Sequence, residues 1–429
     1  MAAALVFLRA QPANPDPQKL FNLVRPKIAA LVSAAPNYTC VETVVRSRLR
    51  SNFQSRGGCE QSAFTRLDGT YKNVEHDRLR LDVGVGEHGE VFSWHGQRNF
   101  ITSDLTQLVS GLAISSGSFF GFVDDIFIGG RGRYFYHGLA IVNGKELAAF
   151  SYVIPRAVSH FSTNTPSGKQ VMGFHGEFTA DPKSGDLASI TVESEDIPKE
   201  IRACQVSQTI TYQNLLLNGK SFRIPETVQF VSALEDHDRL TTLTRYTGCH
   251  EFVGQSIIHF NTDPKAIIAA ATPTSSLPAL PRGLRLKVRL ASPIDSDSAW
   301  TGDAVSGTLE NTLHDKHGHT LAPKGALLTG RIVQLEHFAT EEDQYWILAF
   351  RFDRLHTPTA DYRLGLELKS DSGALPYMTS HRGLGRRSFE VFTTQSKDLP
   401  DTGSFRIPGD HLKLDQHFTT EWESVKPSK

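Results

Sequence analysis

Along most of this chain apolar and polar residues change places every second position. Leu79, Leu81, Val83 and Val85 alternate with Arg78, Arg80 and Asp82, and Leu284, Leu286, Val288 and Leu290 alternate with Arg285, Lys287 and Arg289. Trp346, Leu348, Phe350 and Phe352 form another one-sided stretch. Successive side chains of a strand point to opposite faces, so this period implies antiparallel sheet with one apolar face and one wet face. The pattern predicts a first strand opening at Tyr38 and others over 133–142, 147–154, 174–180, 187–195, 204–217, 226–232 and 240–248. Between them, Asn143-Gly144, Asp181 to Gly185 and Asn218-Gly219 supply residues tolerant of positive φ for hairpin turns.

Three stretches break this rhythm. Leu20, Leu23, Val24, Ile28, Leu31 and Val32 recur at helical spacing, which predicts an N-terminal helix over 18–34 that Pro26 kinks or divides. Residues 103–129 predict two short apolar helices. Asp104 caps one running through Gly111, and Ser118 caps one running through Phe119, Phe120, Phe122, Ile126 and Phe127. Pro273, Pro278 and Pro281 then punctuate a Thr/Ser-containing segment that reads as a linker over 261–282. The expected organisation is a leader or signal remnant at 1–17, a first β domain at 18–260, the linker, and a small β-barrel or sandwich at 283–429. Within the leader, Ala2 to Leu8 has the apolar character of the end of a secretory signal.

Charge excludes one large class of function. With 45 Lys+Arg against 46 Asp+Glu in 429 residues, the net charge is −1 and no basic surface for phosphates is expected, so nucleic acid is not a partner. No apolar run approaches the roughly 18 residues of a membrane span, and no transmembrane segment is expected. Twenty-six Phe, ten Tyr and four Trp supply core-forming side chains throughout.

The four cysteines, Cys40, Cys59, Cys204 and Cys249, all precede residue 260 and lack the Cys-x-x-Cys spacing of a zinc or redox site. An even number in one domain fits disulfides and an oxidising compartment, hence a periplasmic or secreted protein. Three pairings are possible and the sequence does not choose among them. Cys40 opens the first strand and Cys249 closes the last, so the expected pairs are Cys40 with Cys249 and Cys59 with Cys204.

Catalytic and metal signatures fail one by one. Gly219-Lys220-Ser221 resembles the end of a phosphate-binding loop, but Asn214 stands where its first glycine is needed, and the segment reads as a hairpin turn. Asp295-Ser296-Asp297 starts like a calcium loop that Trp300 then spoils, because a glycine must make the sharp turn there. His314, His317 and His319 could group imidazoles on a metal, yet Asp315 to Gly318 reads as a turn. Glu235-Asp236-His237-Asp238 reads as a solvated hairpin tip. Nothing nominates a nucleophile, a metal site or a cofactor, and the chain is expected not to be an enzyme.

Residues 18–260 resemble the LolA/LolB lipoprotein-carrier superfamily. The resemblance rests on Phe178-Thr-Ala-Asp181-Pro-Lys-Ser-Gly185-Asp-Leu-Ala-Ser-Ile190, similar to that family's strand, Asp-x-x-Ser/Thr-Gly turn and strand, and on Tyr212 to Glu226, similar to a later strand pair. The domain also resembles exported proteins of acidobacterial type, in which Pro36-Asn-Tyr-Thr-Cys40 and a late Gly248-Cys249 bracket it. Leu280 to Leu286, Gly302 to Val305 and Leu321 to Ile332 resemble the C-terminal β-barrel of TrbI-type secretion and conjugation proteins, without that family's membrane-inserting helical antenna.

These resemblances imply a mainly β fold: a large curved antiparallel sheet, an unclosed barrel, with an N-terminal helix and short lid helices. They imply a cell-envelope protein binding a lipid, acyl chain or lipoprotein in the concave sheet, with envelope proteins as partners of the C-terminal barrel. The candidate ligand-binding residues are Leu105, Leu108, Leu112, Phe119, Phe120, Phe122, Ile126 and Phe127, since an unclosed sheet leaves apolar side chains needing cover. The alternative is an envelope scaffold whose sheet interior is a filled core.

Overall fold

A computed structural model describes residues 16–34, 37–52, 58–59, 71–86, 89–97, 99–109, 111–116, 119, 121–129, 132–165, 167–217, 219–251, 277–341, 343–369, 374–381, 385–394 and 399–427. Residues 1–15, most of the 261–282 stretch, Ser118, Phe120 and Asn218 lie outside them. The protein is mainly β, built on antiparallel sheet that does not close into a barrel. Helix α1 (Pro17–Ala34) precedes strands β1 (Tyr38–Ser51), β2 (Tyr71–Gly86), β3 (Gly89–Trp94), β4 (Arg133–Val142), β5 (Lys145–Ile154) and β6 (Gly173–Ala180). Next come β7 (Leu187–Glu195), β8 (Ala203–Leu217), β9 (Lys220–Leu234) and β10 (Arg239–Glu251). The C-terminal region adds β11 (Arg285–Leu290), β12 (Ala304–Leu309), β13 (Leu327–Ala339), β14 (Gln344–His356), β15 (Gly403–Pro408) and β16 (Thr419–Ser424). The chain forms two compact units, residues 1–38, 85–89 and 117–232 in the first, and 39–84, 90–116 and 233–429 in the second.

In the first unit β4, β5, β6, β7 and β8 form an antiparallel meander, each strand paired with the next. The β4–β5 turn is Asn143 (φ 50) and Gly144 (φ 77), two positive-φ residues whose twist matches the flanking strands. Helix α1 buries Leu20, Val24 and Ile28, one stripe at four-residue spacing. It runs through Pro26 without the division that was one of the two expected outcomes. Pro26 and Asn22, whose carbonyl loses its intrahelical partner to the proline ring, are both exposed.

In the second unit β1 pairs with β2 and β10, and β2 with β3. Strands β11 to β14 also pair in succession, with β16 beside β11 and β15 beside β14. They enclose one apolar core, in which Leu348, Phe350, Phe405 and Trp422 have no exposed surface. Strand β2 joins both sets, pairing with β13 at Glu75 to Asp77.

The polar face of β2 is therefore not wet as its alternation implied. Leu79, Leu81 and Val83 are buried on one side, while on the other Arg78 and Arg80 lie against the ring of Trp300, at 4.9 and 5.1 Å from its centroid. Arg78 donates to the carbonyls of Ser296, Asp297 (3.1 Å) and Ala299 (2.9 Å), and Arg80 pairs with Asp303 at 2.6 Å. Thr301 bonds the backbone of Arg78 and Arg80 in parallel fashion. Gly302 is required at this crossing, because its φ is +101° and an added Cβ would sit 2.3 Å from the Arg80 carbonyl.

A disulfide joins Cys40 to Cys249 with Cα atoms 4.0 Å apart, and Cys59 and Cys204 are also disulfide-bonded. The Cys40–Cys249 link closes a loop of 209 residues, for which chain entropy gives a contribution of up to about 5 kcal/mol. Replacing both by Ser is expected to lower the thermal midpoint by several degrees under non-reducing conditions. An unchanged midpoint would mean that the β1–β10 pairing alone holds these ends.

Candidate ligand-binding site

The inner face of the first unit is aromatic. Phe150 and Phe178 stand directly opposite in the β5–β6 register and stack with centroids 4.8 Å apart. Tyr152 sits across from Gly176, where a Cβ would lie 1.9 Å from the Thr191 carbonyl, and its hydroxyl donates to that carbonyl at 2.6 Å. Phe174, on the same strand as Phe178, is fully buried. Burial raises the hydroxyl pKa of Tyr212 well above the ordinary value, and neither its oxygen nor that of Tyr136 has a hydrogen-bond partner among the described residues.

Two helical pieces cover this face. From α1, Phe21 meets Tyr134 at 4.6 Å, and Arg25 Nε donates to the Phe127 carbonyl at 2.7 Å. Lys27 pairs with Asp186 at 2.5 Å. The second piece is a turn of helix at Gly121–Val123 running into a π-helical turn at Asp124–Ile128. Its Phe122 packs on Phe161 and Phe174, and its Phe127 on Phe178 at 4.9 Å. Asp125, its side chain 2% exposed, accepts from the backbone N–H of His160 and contacts the ring at 2.5 Å.

The inner face of the second unit is polar. Glu42 and Arg46 project from the same side of β1 and are both buried, at 1% and 2% exposure. Arg46 grips Asp77 of β2 with two nitrogens, Nε at 2.9 Å, and gives a third bond to the Leu112 carbonyl. Thr242 of β10 donates to the next carbonyl, Ala113, at 2.9 Å. The segment 111–116 is thus held by its backbone over charged and hydroxyl groups. Among the described residues no cation pairs with Glu42. Burial first, then the charge of Glu90, raises it to about 8 against a bond from Tyr246, and its Oε2 has no partner among the described residues.

The candidate residues named from sequence divide between these faces. Asp104 does cap a turn, its Oδ1 accepting from Thr106 N–H at 3.0 Å, but the turn is a single one at Leu105–Gln107 and does not continue to Gly111. Leu105 and Leu112 are buried and Leu108 half-buried in the second unit. Phe119, Phe122, Ile126 and Phe127 are buried in the first unit, and Phe120 lies outside the described residues. Sequence reasoning missed Arg46, Asp77, Glu42 and Thr242. Their signal was present, since charged residues at positions 42, 46 and 77 share a strand face with Val44 and Leu79.

The other polar clusters are accounted for by their own bonds. Asp315 accepts from the N–H groups of His317 and His319, both at 2.8 Å, as a turn requires. Asp295 is held by His411 and Lys413. The 235–238 tip is not solvated as expected. His237 and Asp238 are buried because Arg48 of β1 pairs with Asp238 at 2.8 Å and draws the tip in. No helix among the described residues is long and apolar enough to cross a membrane.

No family model matches the chain, and no curated protein does. Among solved structures, a DUF1329 family protein from Desulfovibrio piger aligns at 11% identity and TM-score 0.27, over 58% of this chain and 98% of that one. A LolA superfamily protein from Nitrosomonas europaea aligns at 7% and 0.25, over 55% and 92%. MucB in complex with MucA aligns at 9% and 0.16, over 92% and 94%. Scores below 0.5 do not establish a shared fold.

Two outcomes follow from the polar face. Arg46→Ala leaves Asp77 buried without its cation and is expected to cost about 3–5 kcal/mol in denaturant unfolding. Glu42 holds its proton in the folded state up to about pH 8 but only to its ordinary 4.5 when unfolded, so stability falls as pH rises between these values. Glu42→Gln is expected to flatten that part of the profile in melts from pH 4.5 to 8.5. An identical slope in the variant would show that Glu42 is not the group responsible.

Proposed function

We propose that this chain is a non-enzymatic protein of the cell envelope, periplasmic or secreted, that takes the acyl part of a lipid or lipoprotein into the inner face of a LolA-like sheet. In this reading residues 18–260 form the carrier domain and residues 283–429 a second domain that meets envelope partners. The aromatic face of β4 to β8 carries the reading, because it is covered by helical pieces that belong to no strand of the sheet. Such a cover is attached along its rim by Arg25, Lys27 and Asp125, and its rings are the ones an acyl chain replaces. The Tyr136 and Tyr212 hydroxyls offer donors to an ester carbonyl within an otherwise apolar surface. Disulfide-bonded cysteines support the oxidising compartment.

One observation favours a second reading, a scaffold with a filled interior. Ile126 and Phe127 have no exposed surface, as core residues do. Phe119→Ser and Phe122→Ser separate the two. For a carrier, each variant is expected to weaken saturable binding of a fluorescent fatty acid while lowering stability modestly. For a filled core, each costs about 3–5 kcal/mol, as large-to-small aromatic changes do, with no probe binding to lose. Melts and probe titrations on the same samples read both quantities.

A further inference from the structure

Where β2 meets β13, like groups stand opposite like. Asp77 faces Glu336 and His76 faces His337, with Glu75 opposite Phe338. Like charges directly opposite in an antiparallel pair are destabilising, so each pair is weaker when both members are charged.

On the carboxyl side, Glu336 and Asp77 are both buried. Gln334 donates to Glu336 Oε2 at 2.9 Å. Burial raises Glu336 to about 7 despite that bond, and a proton shared with Glu75 and the charges of Asp77 and Glu75 add to the rise. The facing cations are Arg46, already committed to Asp77 and the Leu112 carbonyl, and Arg48, committed to Asp236 and Asp238. On the imidazole side the rings of His76 and His337 lie 4.8 Å apart, with Trp346 4.9 Å from His337. Burial, then His337 and Arg78, lowers His76 to about 4. Burial lowers His337 also, opposed by Asp410 and a bond to the Gly409 backbone.

The seam reaches the held segment through one bonded path, and Glu336 also lies near Gly111. Asp77 orients Arg46, whose third bond goes to the Leu112 carbonyl. Glu336 Oε1 lies 3.6 Å from where a Cβ on Gly111 would be. We propose that the β2–β13 seam is a proton-dependent catch that sets how firmly the 111–116 segment is held over the inner face.

The signs are opposite on the two sides. Glu336 binds its proton more tightly folded than unfolded, so its contribution is lost as pH rises from 4.5 to about 7, when three carboxylates stand together. His76 binds its proton less tightly folded than unfolded, so its contribution is lost as pH falls from 6.5 to about 4. The two contributions oppose each other between about pH 4.5 and 6.5, and above that range the loss at Glu336 outweighs the gain at His76, so the catch loosens as pH rises toward 8.

The proposal rests on the Arg46 and Thr242 bonds to the backbone of 111–116 and not on any ligand. Amide hydrogen exchange of the free full-length protein tests it at pH 5.5 and 8.0, with intrinsic rates corrected. Amides of β2, β13 and 111–116 are expected to lose only about two- to threefold protection at pH 8.0, because the gain at His76 offsets most of the loss at Glu336. Amides of β11 and β12 change only by the global fall that Glu42 imposes on the whole unit. Glu336→Gln is expected to abolish the local loss, and Glu75→Gln, which removes the same shared proton site, serves if the first variant does not fold. An unchanged local loss in these variants overturns the proposal, and so does a loss in β2 and β13 that 111–116 does not follow. Failure of the fatty-acid probe to bind would overturn the carrier reading and leave this result standing.

Discussion

Strand β2 is buried on one face and half-buried on the other, and the second unit depends on that. Its odd positions, Asp77, Leu79, Leu81 and Val83, lie in one interior, while His76, Arg78 and Arg80 lie against Trp300 and the His337–Trp346 pair. A strand usually meets this demand with apolar residues on both sides. Here the second side is made of arginines whose stems pack and whose guanidinium groups find carbonyls, an aromatic ring and Asp303. A polar pattern thus serves a half-buried face because its arginines have fixed partners. Leucines at 78 and 80 would fill similar space but leave the carbonyls of Ser296, Asp297 and Ala299 without these donors.

The two inner faces solve the problem of cover by different means. In the first unit rings meet rings, and the attraction is non-directional and proportional to the area removed from water. In the second unit the segment after Leu105 is held by hydrogen bonds to its carbonyl oxygens. Backbone carbonyls carry no side-chain identity, so Arg46 and Thr242 fix where this segment lies without fixing its sequence. Leu105 and Leu112 are the buried apolar side chains of this stretch.

Much of the architecture was legible because it depends on local alternation. The strands expected over 133–142 and 187–195 appear with those bounds, and Asn143-Gly144 makes the turn its residues favour. The helix over 17–34 was legible from one apolar stripe. What the sequence concealed depends on partners distant in the chain. Arg78 reads as a wet residue until Ser296 to Ala299 arrive from 218 or more positions away. Asp236 to Asp238 reads as a solvated tip until Arg48 reaches it from a separation of 188 to 190 residues. The same holds for the candidate site. Its apolar members were found from composition, whereas Arg46, Asp77 and Thr242 matter only because the fold brings the carbonyls of residues 112 and 113 between them. Alternation reveals which residues share a face, but not what that face will meet.

The contrast between Asp77 and Glu42 shows how a buried charge is tolerated on one face and avoided on the other. Both carboxyls lie inside the same sheet, yet Asp77 receives two guanidinium nitrogens while Glu42 receives a hydroxyl from Tyr246 and the repulsion of Glu90. An ionised carboxylate without a cation is too costly in such surroundings, so the group keeps its proton instead. The hold on the 111–116 segment belongs to the ionised side of this contrast. A hydrogen bond from a charged donor contributes about 1.5–3 kcal/mol net and a neutral one about 1, so the Arg46 and Thr242 bonds together amount to only a few kcal/mol. That is enough to favour one position strongly, and small enough for the charges around Asp77 to modulate it. Without Asp77, Arg46 would lose the two bonds that hold its guanidinium within reach of the Leu112 carbonyl.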